Sequence, residues 1–81
     1  MTDINKAMGK VLVKYRKIEQ ISQEELADRA GIHRTYVSQI ERGLKSPTLA
    51  VLFDIAKSLN TTASNLIAEV EQNQNTDEVY N

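Results

Sequence analysis

The sequence predicts an all-α protein built from five short helices, and three observations lead to that fold class. Apolar residues recur at helical spacing in five successive stretches, no stretch alternates as a β-strand does, and capping or helix-breaking residues separate the stretches. The 81 residues are 41% hydrophobic and 26% charged, which allows one modest core. We therefore expect one compact domain over residues 1–70, followed at residues 71–81 by a polar, acidic tail that is frayed or disordered.

The first two helices follow from apolar spacing and from signals at their ends. Ser22 precedes Glu25 by three residues, the spacing of a capping box, so a second helix begins at about Gln23 and ends near Arg29. Gly31 then suits the left-handed conformation that often ends a helix. The first helix is predicted over residues 4–19, and its apolar stripe consists of Ile4, Met8, Val11, Leu12, Tyr15 and Ile18.

The third helix is predicted over residues 33–43, only one or two residues after Gly31. Helices two and three therefore meet at a steep angle with little chain between them, and the small side chain of Ala27 permits their close approach. This is the geometry of a helix-turn-helix, whose second helix enters the major groove of DNA.

The last two helices are separated from the third by Pro47, which a helix interior does not tolerate. Thr48 can cap a fourth helix over residues 49–59, and either Thr62 or Ser64 can cap a fifth. The inward stripe of the fourth helix consists of Leu49, Leu52, Phe53, Ala56 and Leu59, and the apolar residues of the fifth are Leu66, Ile67 and Val70.

The third helix has a polar front and an apolar back. At about 100° per residue, the side chains within an arc of about 140° are Arg34, Ser38, Arg42, Thr35 and Gln39. Arginine suits guanine, glutamine suits adenine, and threonine offers a methyl group to thymine in the major groove. Ordinary surface helices also have a polar front, so this face alone does not indicate DNA binding. The short connection between the second and third helices, which is typical of a helix-turn-helix, favours it.

Composition and isolated residues exclude several other classes of function. Because cysteine is absent, we expect no disulfide framework, no zinc–thiolate site and an intracellular protein. The sequence shows no apolar run of membrane-span length and no signal peptide, so we expect a cytoplasmic protein that does not associate with a membrane. His33 is the only histidine, and it is a helix-start residue rather than a metal ligand or general base. We find no nucleophile beside a base and no phosphate cradle, so the sequence predicts no enzymatic activity, no metal and no cofactor.

Charge is unevenly distributed along the chain. The net charge is −1, which does not by itself indicate a partner that is a nucleic acid. Residues 1–57, however, carry all ten lysines and arginines against seven carboxylates, whereas residues 58–81 carry four carboxylates and no cation. This separation leaves room for a basic face on an acidic molecule.

Several segments occur together in an order and spacing that indicate a family. They are Ser22-Gln23-Glu24-Glu25-Leu26-Ala27, Gly31, Val37-Ser38, Ile40-Glu41-Arg42-Gly43 and Pro47-Thr48-Leu49. Together they resemble the Cro/C1-repressor-like (XRE-type) helix-turn-helix family, and the resemblance covers residues 9–70. It implies a compact lambda-repressor-like DNA-binding domain. The opening His33-Arg34-Thr35-Tyr36 of the third helix is most similar to the controller proteins of restriction–modification systems.

The resemblance implies a DNA contact for nine positions. Base contacts are expected first of Arg34 and Thr35, and Gln23 would approach a phosphate with its backbone amide and side chain. Tyr36 would lie at the edge of the helix, either against DNA or as a partly buried edge of the core. The full set that the resemblance places on DNA is Gln23, Arg34, Thr35, Tyr36, Ser38, Gln39, Arg42, Lys45 and Ser46.

Three other positions bear on structure rather than on DNA. Arg16 and Glu41 match the residues that form an ion pair between helices one and three in phage repressors, so the resemblance implies that pair here. Gln20 stands where relatives often have glycine between the first two helices. Either a left-handed turn at Gln20 costs about 1 kcal/mol more than with glycine, or the turn is made differently.

The end of the chain carries more apolar surface than so small a core needs. As in controller proteins, we expect part of it to pair with a second copy in a two-fold dimer, and the alternative is ordinary packing onto helix one. A dimer places two recognition helices about 34 Å apart and demands a palindromic operator. The predicted interface consists of Leu59, Ala63, Leu66, Ile67 and Val70.

The sequence therefore predicts a transcriptional regulator that binds palindromic double-stranded DNA as a homodimer, with a restriction–modification controller as the narrower interpretation. Binding upstream of a promoter can recruit RNA polymerase, and binding across it can block the polymerase, so activation and repression both stay open. The alternative is an antitoxin-type or other small regulator whose main partner is a protein, held by the acidic tail.

Overall fold

The computed structural model describes the backbone of residues 3–80 and the side chains of residues 3–73. Its helices are α1 (Ile4–Ile18), α2 (Gln23–Ala30), α3 (Arg34–Glu41), α4 (Leu49–Ser58) and α5 (Ala63–Tyr80), and no strand occurs among these residues. The all-α prediction is confirmed, and the ends of the first four helices lie within two residues of the predicted bounds.

Side-chain caps explain where the helices begin. The Ser22 hydroxyl accepts a hydrogen bond from the Glu25 amide at 3.0 Å, and Thr48 accepts one from Val51 at 3.2 Å. Only the serine half of the predicted capping box forms within the described residues. The Glu25 carboxylate pairs instead with Arg29, one turn further along α2, at 2.5 Å, because a full positive charge attracts it more strongly than a backbone amide does.

The core lies where all five helices meet, and it is entirely apolar in the described residues. Its largest fully buried side chains are Leu12, Leu26, Ile40, Ile55, Leu59 and Leu66. Ala27 is buried where α2 approaches α3, as the steep helix crossing requires. The predicted stripes are wrong at their edges, because Ile4, Ile18, Leu49 and Phe53 are exposed and Ile55 takes the inward position on α4.

Two tight connections depend on left-handed backbone. Gly31 ends α2 with φ at 70°, and the Ile32 amide donates back to the Ala27 carbonyl at 3.0 Å, so α3 starts within four residues of the end of α2. Gln20 adopts φ of 59° between α1 and α2. Of the two alternatives that the sequence leaves for Gln20, the left-handed turn is the one observed.

Helix α5 continues to Tyr80. The lack of apolar periodicity after residue 70 predicts an irregular segment there, whereas the backbone is helical. A helix already anchored by the buried Leu66 and Val70 needs no new nucleus, and polar residues can propagate it. Asn81 lies outside the described residues. The division into a domain at residues 1–70 and a separate tail stays a prediction.

Candidate nucleic-acid interface

Helix α3 presents its polar front to solvent because its apolar back is fixed in the core. Val37 is 1% exposed and Ile40 is fully buried. On the other side, Arg34 and Thr35 are exposed and Ser38 is half-buried, so guanidinium and hydroxyl groups line the open face. This is the arrangement that base-edge recognition in the major groove requires.

The start of α3 is open as well. His33 occupies the N-cap position, makes no capping hydrogen bond through its side chain and is exposed. The amides of Tyr36 and Val37 donate to its carbonyl, at 3.0 Å and 3.2 Å, and close the first turn. No group of three or more histidine, cysteine, aspartate or glutamate residues that could hold a metal ion occurs among the described residues.

A shallow groove runs along one flank of α3. It is lined by Thr35, Tyr36 and Gln39 of the helix and by Leu44, Lys45 and Ser46 of the loop that follows. The Tyr36 hydroxyl donates to the Ser46 carbonyl at 3.5 Å, so the half-buried tyrosine ties the loop to the helix. The structure thus brings five of the predicted DNA contacts to one groove, and Leu44, which the sequence analysis did not select, belongs to it.

Arg34, Ser38 and Arg42 follow one another at four-residue spacing along α3 and its C-terminal cap. Arg42 is the capping residue and is exposed, one turn before the exposed Lys45. This row, with an arginine at each end and the Ser38 hydroxyl between them, can meet phosphates at its ends and a base edge at its centre.

Gln23 is joined to α3 through the ion pair that the resemblance implies. The Arg16 Nε atom lies 2.7 Å from Glu41 Oε2, and its Nη2 atom donates to Glu41 Oε1 at 3.1 Å. The Gln23 side-chain amide donates to the same Oε1 atom at 2.9 Å. The Glu41 side chain is only 4% exposed. One carboxylate therefore connects α1, the start of α2 and the end of α3.

A close backbone contact adds a second link between α1 and α3. Gly9 is buried in α1, and a Cβ atom at this position would stand 2.4 Å from the Glu41 carbonyl oxygen. Only glycine allows the two helices to approach so closely. The apolar periodicity of α1 carries no signal for this contact, and Gly9 was therefore missed in the sequence analysis.

A second polar cluster joins α5 to α1. Glu69 accepts hydrogen bonds from the Lys14 ammonium, at 2.5 Å, and from the Tyr15 hydroxyl. Those bonds lower the pKa of Glu69 below its usual range and, because the donors lose a bond when they deprotonate, raise the pKa of Lys14 and of Tyr15. The cluster holds the last helix against the first.

The residues predicted for the dimer interface are mostly in the core of this chain. Leu59, Ala63, Leu66 and Val70 are buried against the other helices, so packing onto the protein's own core, the alternative that the sequence left open, accounts for all four. Ile67 alone of the five is exposed, at 39%. Ile4 and Ile67 line one groove together, and Leu49 and Phe53 are exposed on α4, which packs against α5.

None of the helices, over the described residues, is both long and apolar enough to cross a membrane.

Comparison with known proteins identifies the family. The profile of the helix-turn-helix family HTH_3 matches residues 12–66. Control protein C.SmaI of Serratia marcescens is 40% identical over 65 residues, which cover 80% of this chain and 77% of that protein. Control protein C.MunI of Mycoplasma sp is 37% identical over 73 residues, covering 89% and 99% respectively.

A solved structure supports the same assignment. The restriction-modification controller protein C.AhdI from Aeromonas hydrophila matches with a TM-score of 0.75 and 31% identity, over 76% of this chain and 94% of that one. The fold, the exposed face of α3 and the profile match over most of the chain agree. This protein belongs to the XRE-type helix-turn-helix family HTH_3, whose members are non-enzymatic DNA-binding transcriptional regulators.

Proposed function

We propose that this protein is the controller of a restriction–modification system and that it binds an inverted-repeat operator as a homodimer. The observation that carries the proposal is the exposed polar face of α3 on a chain that aligns with control proteins over 77–99% of their length. The alignment spans most of each control protein, so the similarity extends beyond the helix-turn-helix alone.

Each protomer would read one half-site with the front of α3. Arg34 and Gln39 have the donors and acceptors that distinguish guanine and adenine, and Thr35 can contact a thymine methyl group. Ser38 lies between them and can donate to either kind of base. These roles follow from side-chain chemistry and exposure on a helix whose back is fixed by Val37 and Ile40.

The flanks of α3 would hold the DNA backbone. Gln23 stands at the first position of α2, where backbone amides also point outward and attract phosphate. Arg42, Lys45 and Ser46 would contact the backbone beyond the other end of α3, with Tyr36 beside them. Because these contacts neutralise phosphates, we expect affinity to fall steeply with salt although the net charge of the chain is −1.

The dimer surface would consist of Ile4, Leu49, Phe53 and Ile67. Leu49 and Phe53 are 66% and 59% exposed and lie one turn apart on α4. Ile4 and Ile67 line a groove whose floor includes Met8, Leu52 and Val70. Exposed apolar side chains of this size gain free energy when a second copy covers them. Two linked half-sites also multiply the modest specificity that one eight-residue helix provides.

Regulation would depend on protein concentration, because dimerisation and operator binding both rise with it. A dimer bound upstream of a promoter can recruit RNA polymerase, and a dimer bound across the promoter can exclude it. Both actions take place on DNA, so we place the protein in the cytoplasm.

Selection from random-sequence duplex DNA tests the proposed operator. The purified protein is mixed with the pool at moderate salt, and the bound fraction is amplified and sequenced. We expect enrichment of an inverted repeat whose half-sites lie about one turn of DNA apart. A folded sample that enriches no sequence would contradict the proposal and favour the alternative, a regulator whose main partner is a protein.

Charge placed on the dimer surface tests the homodimer. Phe53→Asp and Ile67→Asp should give folded monomers that bind the operator weakly, as measured by sedimentation and DNA binding. Ile18→Asp is the control for Phe53→Asp, because Ile18 is 63% exposed and Phe53 59%, but Ile18 stands at the opposite end of α1 from Ile4. A variant at Leu66 is unsuitable, since that side chain is fully buried and a carboxylate there would unfold the core. Dimers that persist in both surface variants would refute this interface.

A further inference from the structure

The Arg16–Glu41–Gln23 cluster does more than fasten helices together, because it restricts how one DNA-facing side chain can point. Glu41 accepts every hydrogen bond in the cluster, two from Arg16 and one from Gln23. An ionised carboxylate has no hydrogen to donate. It therefore selects the amide nitrogen of Gln23 and excludes the flipped amide, in which two oxygens would face each other.

The selected orientation matters because a DNA phosphate is also only an acceptor. The Gln23 amide has two N–H groups, and the bond to Glu41 at 2.9 Å uses one of them. The second N–H stays on the same nitrogen, and Gln23 itself is the half-buried first residue of α2. A flipped amide would turn its carbonyl oxygen towards a phosphate and repel it.

Arg16 fixes the backbone that carries Gln23. Its Nη1 atom donates to the Ile21 carbonyl at 3.0 Å, two residues before Gln23, while its other two donors hold Glu41. The cluster thus sets the position of the α2 N-terminus and the orientation of its first side chain with a single arginine.

We propose that Glu41 is a positioning residue for DNA binding, which orients the Gln23 amide so that its second N–H meets a backbone phosphate. The inference rests on the proposed DNA contact of Gln23, and it explains why the amide of Gln23 is oriented to make that contact. It also assigns a functional role to a carboxylate whose own side chain is too buried to approach DNA.

The test is a double-mutant cycle of Glu41→Asp and Gln23→Ala, measured as the affinity for DNA at several salt concentrations. Aspartate keeps the charge that pairs with Arg16 but is one methylene too short to hold Gln23 as well. The probe is a random-sequence duplex of about 20 base pairs, or about two helical turns, because a phosphate contact does not need a specific operator. Thermal unfolding of each variant confirms that the protein is folded at the temperature of the measurement.

We expect each single variant to lose about tenfold in affinity per protomer, the effect of one hydrogen bond to a charged group. Because the Gln23 amide is neutral and releases no counterion, the slope of log K against log salt should stay that of the wild type in each variant, provided that the cationic contacts of Arg42 and Lys45 are kept. In the Gln23→Ala background, Glu41→Asp should have no further effect.

Losses that add in the double variant, or an affinity unchanged by Glu41→Asp, would overturn the inference and leave Glu41 a structural residue. If Glu41→Asp does not fold, Glu41→Gln serves in the same cycle, since an amide at position 41 can donate an N–H to the carbonyl oxygen of a flipped Gln23 and no longer selects one orientation. Failure of the wild-type protein to bind any duplex would instead refute the proposed function, so the two failures are distinguishable.

Discussion

Gly9→Ala tests whether α1 sets the position of the recognition helix, because sequence and structure predict effects of opposite sign. Gly9 lies within α1, where helix propensity favours alanine over glycine by about 1 kcal/mol. The structure, however, places the new Cβ 2.4 Å from the Glu41 carbonyl oxygen and 2.7 Å from that of Ile40. Both contacts are with backbone, so no side chain can rotate away to relieve them.

The size of the effect follows from those distances. Carbon and oxygen atoms seldom approach within about 3.3 Å, so α1 and α3 would have to separate by about 1 Å. Overpacking of this kind costs about 1–3 kcal/mol, and a contact made only with backbone belongs at the upper end. After the propensity gain is subtracted, we expect the free energy of unfolding to fall by about 2 kcal/mol, which lowers Tm by about 8–16 °C in a domain of this size.

Urea and thermal unfolding, followed by circular dichroism, measure the change. Lys10→Ala is the matched control, since Lys10 is the next residue of α1, is exposed, and differs little from alanine in helix propensity. A Gly9→Ala protein as stable as the wild type, or more stable, would refute the close contact between α1 and α3.

Three further predictions concern the turn, the DNA face and the helix-joining cluster. Gln20→Gly should raise the free energy of unfolding by about 0.5–1 kcal/mol, by relieving φ of 59°; Asn60→Gly, at φ of 58°, should gain less because asparagine tolerates that region. Arg34→Ala should weaken operator binding by about 1–3 kcal/mol and relax the preference at one base pair per half-site, whereas an equal loss on all sequences would mean a phosphate contact. The pKa of Glu69 is lowered in the folded state, so its contribution to stability is present above the ordinary value of 4.5 and is lost as the pH falls through the folded-state pKa. The difference in stability between the wild type and Glu69→Gln should therefore close in acid unfolding curves below pH 4.5.

The helices could be predicted from the sequence because their signals are local. Apolar spacing and caps such as Ser22 and Thr48 act within a few residues, and the same is true of Gly31, whose left-handed conformation ends α2. The polar front of α3 also follows from helical geometry once Val37 and Ile40 are assigned to the core. Such features need no knowledge of where distant segments lie.

The apolar residues at the edges of helices could not be assigned in the same way. Leu49 and Phe53 have the spacing of a core stripe, yet the helix is rotated so that Leu52 and Ile55 face inward. Helical periodicity defines a stripe about 100° wide but not which of its edges meets the core. Conversely, Leu66 was predicted to face a partner because the end of the chain carries more apolar surface than so small a core needs, although α1 packs against its helix and the side chain is buried.

Contacts between distant residues explain how so short a recognition helix keeps its position. An isolated helix of eight residues is unstable in water, so α3 depends on its surroundings. Its C-terminal end meets α1 twice, through the Glu41 carbonyl above Gly9 and through the Glu41 carboxylate beside Arg16. Because the same residue also holds Gln23, a shift of α1 would move the base-reading face and the phosphate-binding end of α2 together. Variants in α1 that never touch DNA should therefore change both specificity and salt dependence, a combination that loss of a single DNA contact would not produce.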